Sequence, residues 1–180
     1  MSLSEVKALA VALTVAAALG AVSGCTVQPL YGSGGGSFSS PQSSVLSTVS
    51  VEQVNTREAQ QVRNHLIFLL GGGSGEPASP AYKVRLGVSS QTQSSASVQP
   101  AVAIEREPTA GRVVMTSAYE LVDLATGQVI ASGKRQASAS FDKSRQEFAI
   151  VRAERDAQDR AARELAETLH LTIAQELLKR

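Results

Sequence analysis

The stretch Tyr82–Ser89, YKVRLGVS, decides the fold class because apolar and polar residues alternate along it. Its apolar members occupy every second position: Tyr82, Val84, Leu86 and Val88. Successive side chains of a β-strand point to opposite faces, so these four share one face. The stretch therefore predicts a strand of a sheet that is buried on one side and polar on the other.

Three more strands are predicted around it. Arg112–Asp123 places four apolar residues on one face: Val113, Met115, Tyr119 and Leu121. Val129–Phe141 returns after the turn Ala125–Gly127 and completes a hairpin. The Val- and Thr-rich segment Val45–Val54 predicts the first strand. Residues 89–98, SSQTQSSASV, are polar enough for an exposed edge or a protruding ribbon, and residues 99–111 predict a loop.

Two helices complete the pattern. The first begins at Asn55 with Glu58 in a capping box, runs for about 14 residues and ends at the glycines 71–73. Residues 144–180 contain neither Gly nor Pro and predict a long helix, with Ser144 and Glu147 as its capping box. Its apolar seam is Val151, Ala161, Leu165, Leu169, Ile173 and Leu177. The order β-α-β-β-β-α predicts an α+β domain: a four-stranded, mostly antiparallel sheet with two helices packed on one face.

The N-terminus has the pattern of a removable signal peptide. Residues 8–22 are uncharged and apolar, too short to cross a bilayer, and small residues precede Cys25. Cys25 is the only cysteine, so it cannot form an internal disulfide, and we predict that it carries lipid. The other interpretation is a buried Cys ending an N-terminal helix. We predict a signal peptide at 1–24, a lipidated Cys25 with a flexible Gly/Ser/Pro linker at 25–44, and one periplasmic domain at 45–180.

Composition excludes several function classes. The net charge is +1, which gives no field for binding nucleic acid. No Cys/His spacing for a metal appears, and the Gly71–Gly75 run lacks the Lys-Ser/Thr of a phosphate-binding loop. His65 and His170 each lie among leucines on a predicted helix, where a satisfied structural ring is the ordinary interpretation. We predict a protein that is no enzyme and has no cofactor or metal.

Four basic residues surround the middle turns and strands: Arg106, Arg112, Lys134 and Arg135. They fit either an ordinary solvated strand edge or a small cationic patch for a phosphorylated or acidic ligand.

Residues 25–32, CTVQPLYG, resemble the start of the lipopolysaccharide-assembly lipoprotein (LptE) family, with its Cys-x-x-x-Pro-Leu-Tyr-Gly sequence. The helix segment Val62–Leu66, VRNHL, continues the resemblance, as does the order of elements. The resemblance implies a palmitate-bearing outer-membrane lipoprotein that faces the periplasm, binds the LptD β-barrel and assists lipopolysaccharide transport. Thr26 after the Cys resembles the outer-membrane sorting pattern.

By rough position the family's lipopolysaccharide contacts fall on Arg106 and Lys134. Two other interpretations remain: an auxiliary lipoprotein of an ABC-type lipid transport system, and an anchored envelope hydrolase, which the missing catalytic residues disfavour.

Overall fold

The structure, a computed structural model, describes residues 41–95 and 110–179. The elements are α1 (Pro41–Leu46), β1 (Val49–Val51), α2 (Arg57–Leu70), β2 (Tyr82–Ser95), β3 (Ala110–Asp123), β4 (Val129–Asp142) and α3 (Glu147–Leu178). The predicted α+β class and element order are confirmed, with the short α1 added before them.

The four strands form one sheet in the order β1-β2-β3-β4. β1 runs parallel to β2, and the other neighbours are antiparallel. β2 and β3 are paired along their full length, from Tyr82 opposite Asp123 to Ser95 opposite Ala110. The sheet is therefore dominated by three long strands that follow each other in the chain.

The core lies between one face of this sheet and the helices α2 and α3. Val113, Met115 and Leu121 contribute from β3, and none of them is exposed. The predicted seam of α3 is confirmed from Ala161 to Leu177. Four alanines of α3 are also completely buried: Ala157, Ala161, Ala162 and Ala166. Small side chains let a helix approach the sheet closely, which suits a chain with few aromatic residues to fill space.

The start of α3 differs from the prediction. Val151 is 44% exposed, because Ile150 and Ala153 are the residues of the first turns that pack against the core. The predicted capping box is absent: Gln146 is the N-cap and makes no side-chain cap bond. Ser144 Oγ instead accepts from Gln146 N at 3.2 Å, within the preceding turn.

The N-cap of α2 lies one residue later in the chain than predicted. Thr56, and not Asn55, occupies the N-cap, and its Oγ1 accepts from Ala59 N at 3.3 Å. Glu58 is then one position too early for a capping box. The predicted length of 14 residues is confirmed, and the C-cap is Gly71.

The first strand is much shorter than predicted, because only Val49–Val51 pair with β2. Pro41 occupies the first position of α1, where its missing N–H has no cost. The hydroxyls of Ser47 and Thr48 donate to Ser44 O and Val45 O at the end of that helix. Residues 41–44 are thus helical, where a flexible linker was predicted; the rest of the linker and the signal peptide lie outside the described residues.

Candidate functional site: the open face of the sheet

The face of the sheet opposite α2 and α3 is named here the open face. β2 contributes small and polar side chains to it: Lys83, Arg85, Gly87, Ser89, Gln91 and Gln93. Thr116 and Ala118 of β3 follow, with Gln136 and Ser138 of β4 beside them. The face is therefore mainly polar: hydroxyls and amides lie beside the charged side chains of Lys83 and Arg85, and Val114 lies between Gln91 and Ser138.

One group of charges on this face is internally paired. Arg85 Nε lies 3.5 Å from Glu52 Oε2, and Arg85 Nη1 lies 3.5 Å from Glu120 Oε2. All three side chains are about half exposed, so solvent screens these pairs and they contribute little to stability. Their effect is to leave this corner of the open face without a net positive charge.

Arg112 and Lys134 both lie exposed on the open face, but far from each other. Lys134 is opposite Ala118, six positions along β3 from Arg112. At the rise of a strand, that separates their backbones by about 20 Å. Neither has an ion-pair partner among the residues that the structure describes. A ligand contact at each residue stays a prediction, but the two do not form one compact patch.

Arg135 does not belong to this face. It is opposite Ser117 on the helix-covered side, and its Nε donates to Thr172 Oγ1 of α3 at 2.9 Å. Its guanidinium carbon lies 5.7 Å from the centre of the Tyr119 ring, within cation–π range. Arg135 therefore connects β4 to α3, and the predicted cluster with Lys134 is corrected. Counting in twos from the buried Phe141, through Ala139 and Ala137, would have placed Arg135 on the inner side.

Cys25 and Arg106, the other predicted site residues, lie outside the described residues. Their proposed roles in lipid attachment and ligand contact stay predictions.

The family is established by comparison with known proteins. The model of the LptE family, described as lipopolysaccharide-assembly, matches residues 46–173. The chain belongs to the LptE family. The match confirms the resemblance seen in the sequence and covers β1 through most of α3.

Solved structures of several lipoproteins share the fold of this chain. A candidate lipoprotein from Caulobacter crescentus has 26% identity and a TM-score of 0.62, over 78% of this chain and 97% of that one. A minor lipoprotein from Acinetobacter baumannii has 15% identity and a TM-score of 0.54, over 71% and 90%. The rare lipoprotein B of Shewanella oneidensis has 13% identity and a TM-score of 0.54, over 73% and 95%. Comparison with curated protein sequences gives no significant match.

His170 is buried in the core of this LptE-family chain. His170 is 2% exposed within α3, and desolvation lowers its pKa below the ordinary 6.5.

A cavity of about 290 Å³ is lined by Gln53, Val54, Gln60, Arg63 and Asn64, none of which is an activated nucleophile or base. Over residues 41–95 and 110–179, no group of three or more His, Cys, Asp or Glu side chains could hold a metal ion. No helix in the same ranges is long and apolar enough to cross a membrane.

Proposed function

We propose that this protein is an outer-membrane lipoprotein that binds an LptD-type β-barrel and assists lipopolysaccharide assembly, without catalysing a reaction. Membership of a lipopolysaccharide-assembly family that acts with the transport machinery carries the proposal. The structure adds a candidate for the docking surface, namely the open face.

The composition of the open face suits a polar partner. Strands of an outer-membrane barrel alternate apolar and polar residues, and the polar ones point into the lumen. A surface of Gln91, Gln93, Thr116, Gln136 and Ser138 offers hydroxyl and amide groups that can exchange hydrogen bonds with such a wall. Interfaces of this kind include bridging water and need no large apolar patch.

The small residues at the centre of the open face support the same proposal. Gly87 and Ala118 are paired at its centre, and a Cβ built on Gly87 would meet only the Ala118 Cβ, at 4.0 Å. Two rigid surfaces can approach closely where side chains are this small. A large side chain at this point would hold them apart without entering the core.

The membrane attachment is proposed to be a lipid on Cys25, followed by a linker that lets the domain reach the barrel. Such an anchor raises the effective concentration of the domain at the membrane, so that a modest interface suffices. Substitution Cys25→Ala is expected to leave an unprocessed precursor without lipid. A Cys25→Ala protein that is processed and membrane-bound like the wild type would contradict the anchor.

The auxiliary role in an ABC-type lipid transport system has less support. It requires an apolar ligand groove, whereas the described cavity is lined mainly by Gln53, Gln60, Arg63 and Asn64.

The deciding experiment is a mild-detergent pull-down of the tagged, lipidated protein from outer membranes, with mass spectrometry of the recovered proteins. The wild type is expected to recover the LptD-type barrel in stoichiometric amount. Ala118→Trp on the open face is expected to lower that recovery at least tenfold while the domain stays folded. Gln175→Trp places the same bulk at an exposed position of α3 and is the matched control.

Recovery of an inner-membrane transporter instead of the barrel would favour the auxiliary role. Equal recovery of the barrel by Ala118→Trp and Gln175→Trp would remove the open face as the docking surface.

A further inference from the structure

The outer edge of β1 is closed by two side chains. Val51 N, which points away from β2, donates to Glu76 Oε1 at 3.0 Å. Val51 O accepts from Arg63 Nε at 3.2 Å, and Arg63 Nη2 lies 2.7 Å from Glu76 Oε2. These two side chains satisfy the outward N–H and C=O of Val51, which an added strand would use, so this edge is blocked at Val51.

The outer edge of β4 is obstructed at two points. Lys134 O accepts from Arg135 Nη1 at 2.8 Å, and Ser140 O accepts from Arg160 Nη2 at 2.9 Å. A strand that paired with β4 would have to displace both guanidinium groups. Arginines placed on an edge in this way prevent long pairing.

The third edge is the part of β2 that extends beyond β1, and no described residue protects it in this way. Glu52 N donates to Val84 O at 2.8 Å, which fixes the even-numbered residues of β2 as those whose backbone groups point away from β3. Beyond Val84 these are Leu86, Val88, Ser90, Thr92 and Ser94. Among the described residues, nothing bonds to their outward N–H and C=O groups.

This β2 edge, defined as Leu86–Ser94, also lacks the other devices that discourage pairing. Its sequence contains no proline and no charge, and its register with β3 is continuous throughout. Leu86 and Val88 point to the helix side but are only partly buried, although both contact the core. A side chain on an added strand would cover them.

We propose that the β2 edge accepts an extended segment of the barrel partner, which adds to the sheet as a fifth strand in line with β1. The proposal rests on the proposed function, because it assigns that partner a second contact beside the open face. At about 3.3 Å per residue, the edge has room for roughly nine residues of the added strand.

The edge also fixes the chemistry of the segment. Affinity comes from backbone hydrogen bonds, and specificity comes from alternate side chains. On the helix side the segment needs small apolar residues against Leu86 and Val88. Farther along it meets Thr92, whose hydroxyl donates to Glu154, and Ser94, whose hydroxyl accepts from Lys143, so polar residues are expected there. On the other side it continues the open face, next to Gln91 and Gln93, and is therefore expected to be polar.

A proline at Ser90 tests the proposal. Ser90 N points away from β3, so Ser90→Pro removes a donor from the edge while leaving the β2–β3 ladder intact. In the same pull-down, Ser90→Pro is expected to recover about tenfold less barrel than the wild type, because both a hydrogen bond and close approach are lost. Ser90→Ala keeps the N–H and is expected to recover the wild-type amount.

A second pair of variants covers the case in which Ser90→Pro fails to fold. Thr92→Pro removes the next outward donor, at an exposed position farther from the core, and Thr92→Ala is its control. Folding of each variant is checked by thermal unfolding before the pull-down.

Folded proline variants that recover as much barrel as the alanine variants would overturn the proposal and leave the proposed function standing. Failure of the wild type to recover any barrel would overturn the proposed function first. Self-association that the proline variants abolish would assign the edge to a second copy of this chain and overturn the barrel segment as its occupant.

Discussion

The Phe141 ring lies directly over Gly111, its partner across the β3–β4 ladder. A Cβ built on Gly111 would come within 3.0 Å of three atoms of that ring. Glycine at this position therefore gives the ring its space, because any Cβ at residue 111 would force Phe141 to shift.

Gly111→Ala is expected to lower the free energy of unfolding by about 1–3 kcal/mol, because Phe141 must leave its packed position. Chemical denaturation measures the change. Gly87→Ala is the matched control, since the added Cβ there meets only open space and Ala118 at 4.0 Å. A Gly111→Ala protein as stable as the Gly87→Ala protein would show that the ring moves at no cost.

Arg63→Ala is expected to destabilise the domain by about 1–3 kcal/mol, because the carbonyls of Val51 and Glu52 and the carboxylate of Glu76 lose their donor. Arg57→Ala is the control, because Arg57 pairs with Asp159 in a more exposed setting and should cost less than about 1 kcal/mol. Equal losses in the two variants would mean that the contacts of Arg63 contribute no more than a surface ion pair.

Leu165→Asp is expected to prevent folding, because the carboxylate would be buried without a partner at a position with no exposure. Leu171→Asp introduces the same charge on the same helix, but at a position that is 42% exposed, and should leave the domain folded. Circular dichroism and the yield of monomer distinguish them. A folded, abundant Leu165→Asp protein would show that Leu165 is not part of the core.

Acid should destabilise the protein through His170. Desolvation lowers the pKa of His170 in the folded state, so below pH 6.5 the unfolded chain takes up a proton more readily than the folded one. Stability that is complete above pH 6.5 is therefore lost as the pH falls through that value toward the lowered pKa. Unfolding measured at pH 7.5 and pH 5.5 should show a smaller difference for His170→Gln than for the wild type. The same difference in both proteins would assign the acid sensitivity to carboxylates.

Much of this fold could be predicted from local sequence. The alternation from Tyr82 to Val88 indicates a half-buried strand. The glycines after Leu70 end the helix, because glycine is a poor helix former. The long C-terminal helix was equally predictable, because its seam repeats through Leu165, Leu169 and Ile173. In each case, neighbours in sequence carry enough information to fix the element.

The errors occur where distant contacts decide. Val45–Val54 has the composition of a strand, but only Val49–Val51 pair with β2. The first two residues of the segment, Val45 and Leu46, belong to α1. Asn55 and Thr56 are adjacent and both can cap a helix, with Asn slightly preferred, so local chemistry favoured the wrong one of the two. The free edge beyond β1 depends on how short β1 is, and for that reason it could not be predicted either.

The succession of the strands affects how the chain is completed. Because β2, β3 and β4 lie side by side in the order of synthesis, each new strand has its neighbour already in place when it emerges. The inner face, however, needs the final 32-residue helix before its apolar residues are covered. A chain without that helix would expose the apolar inner face of its sheet to chaperones and proteases. We therefore expect the domain to reach its stable fold only once α3 has packed on the inner face of the sheet.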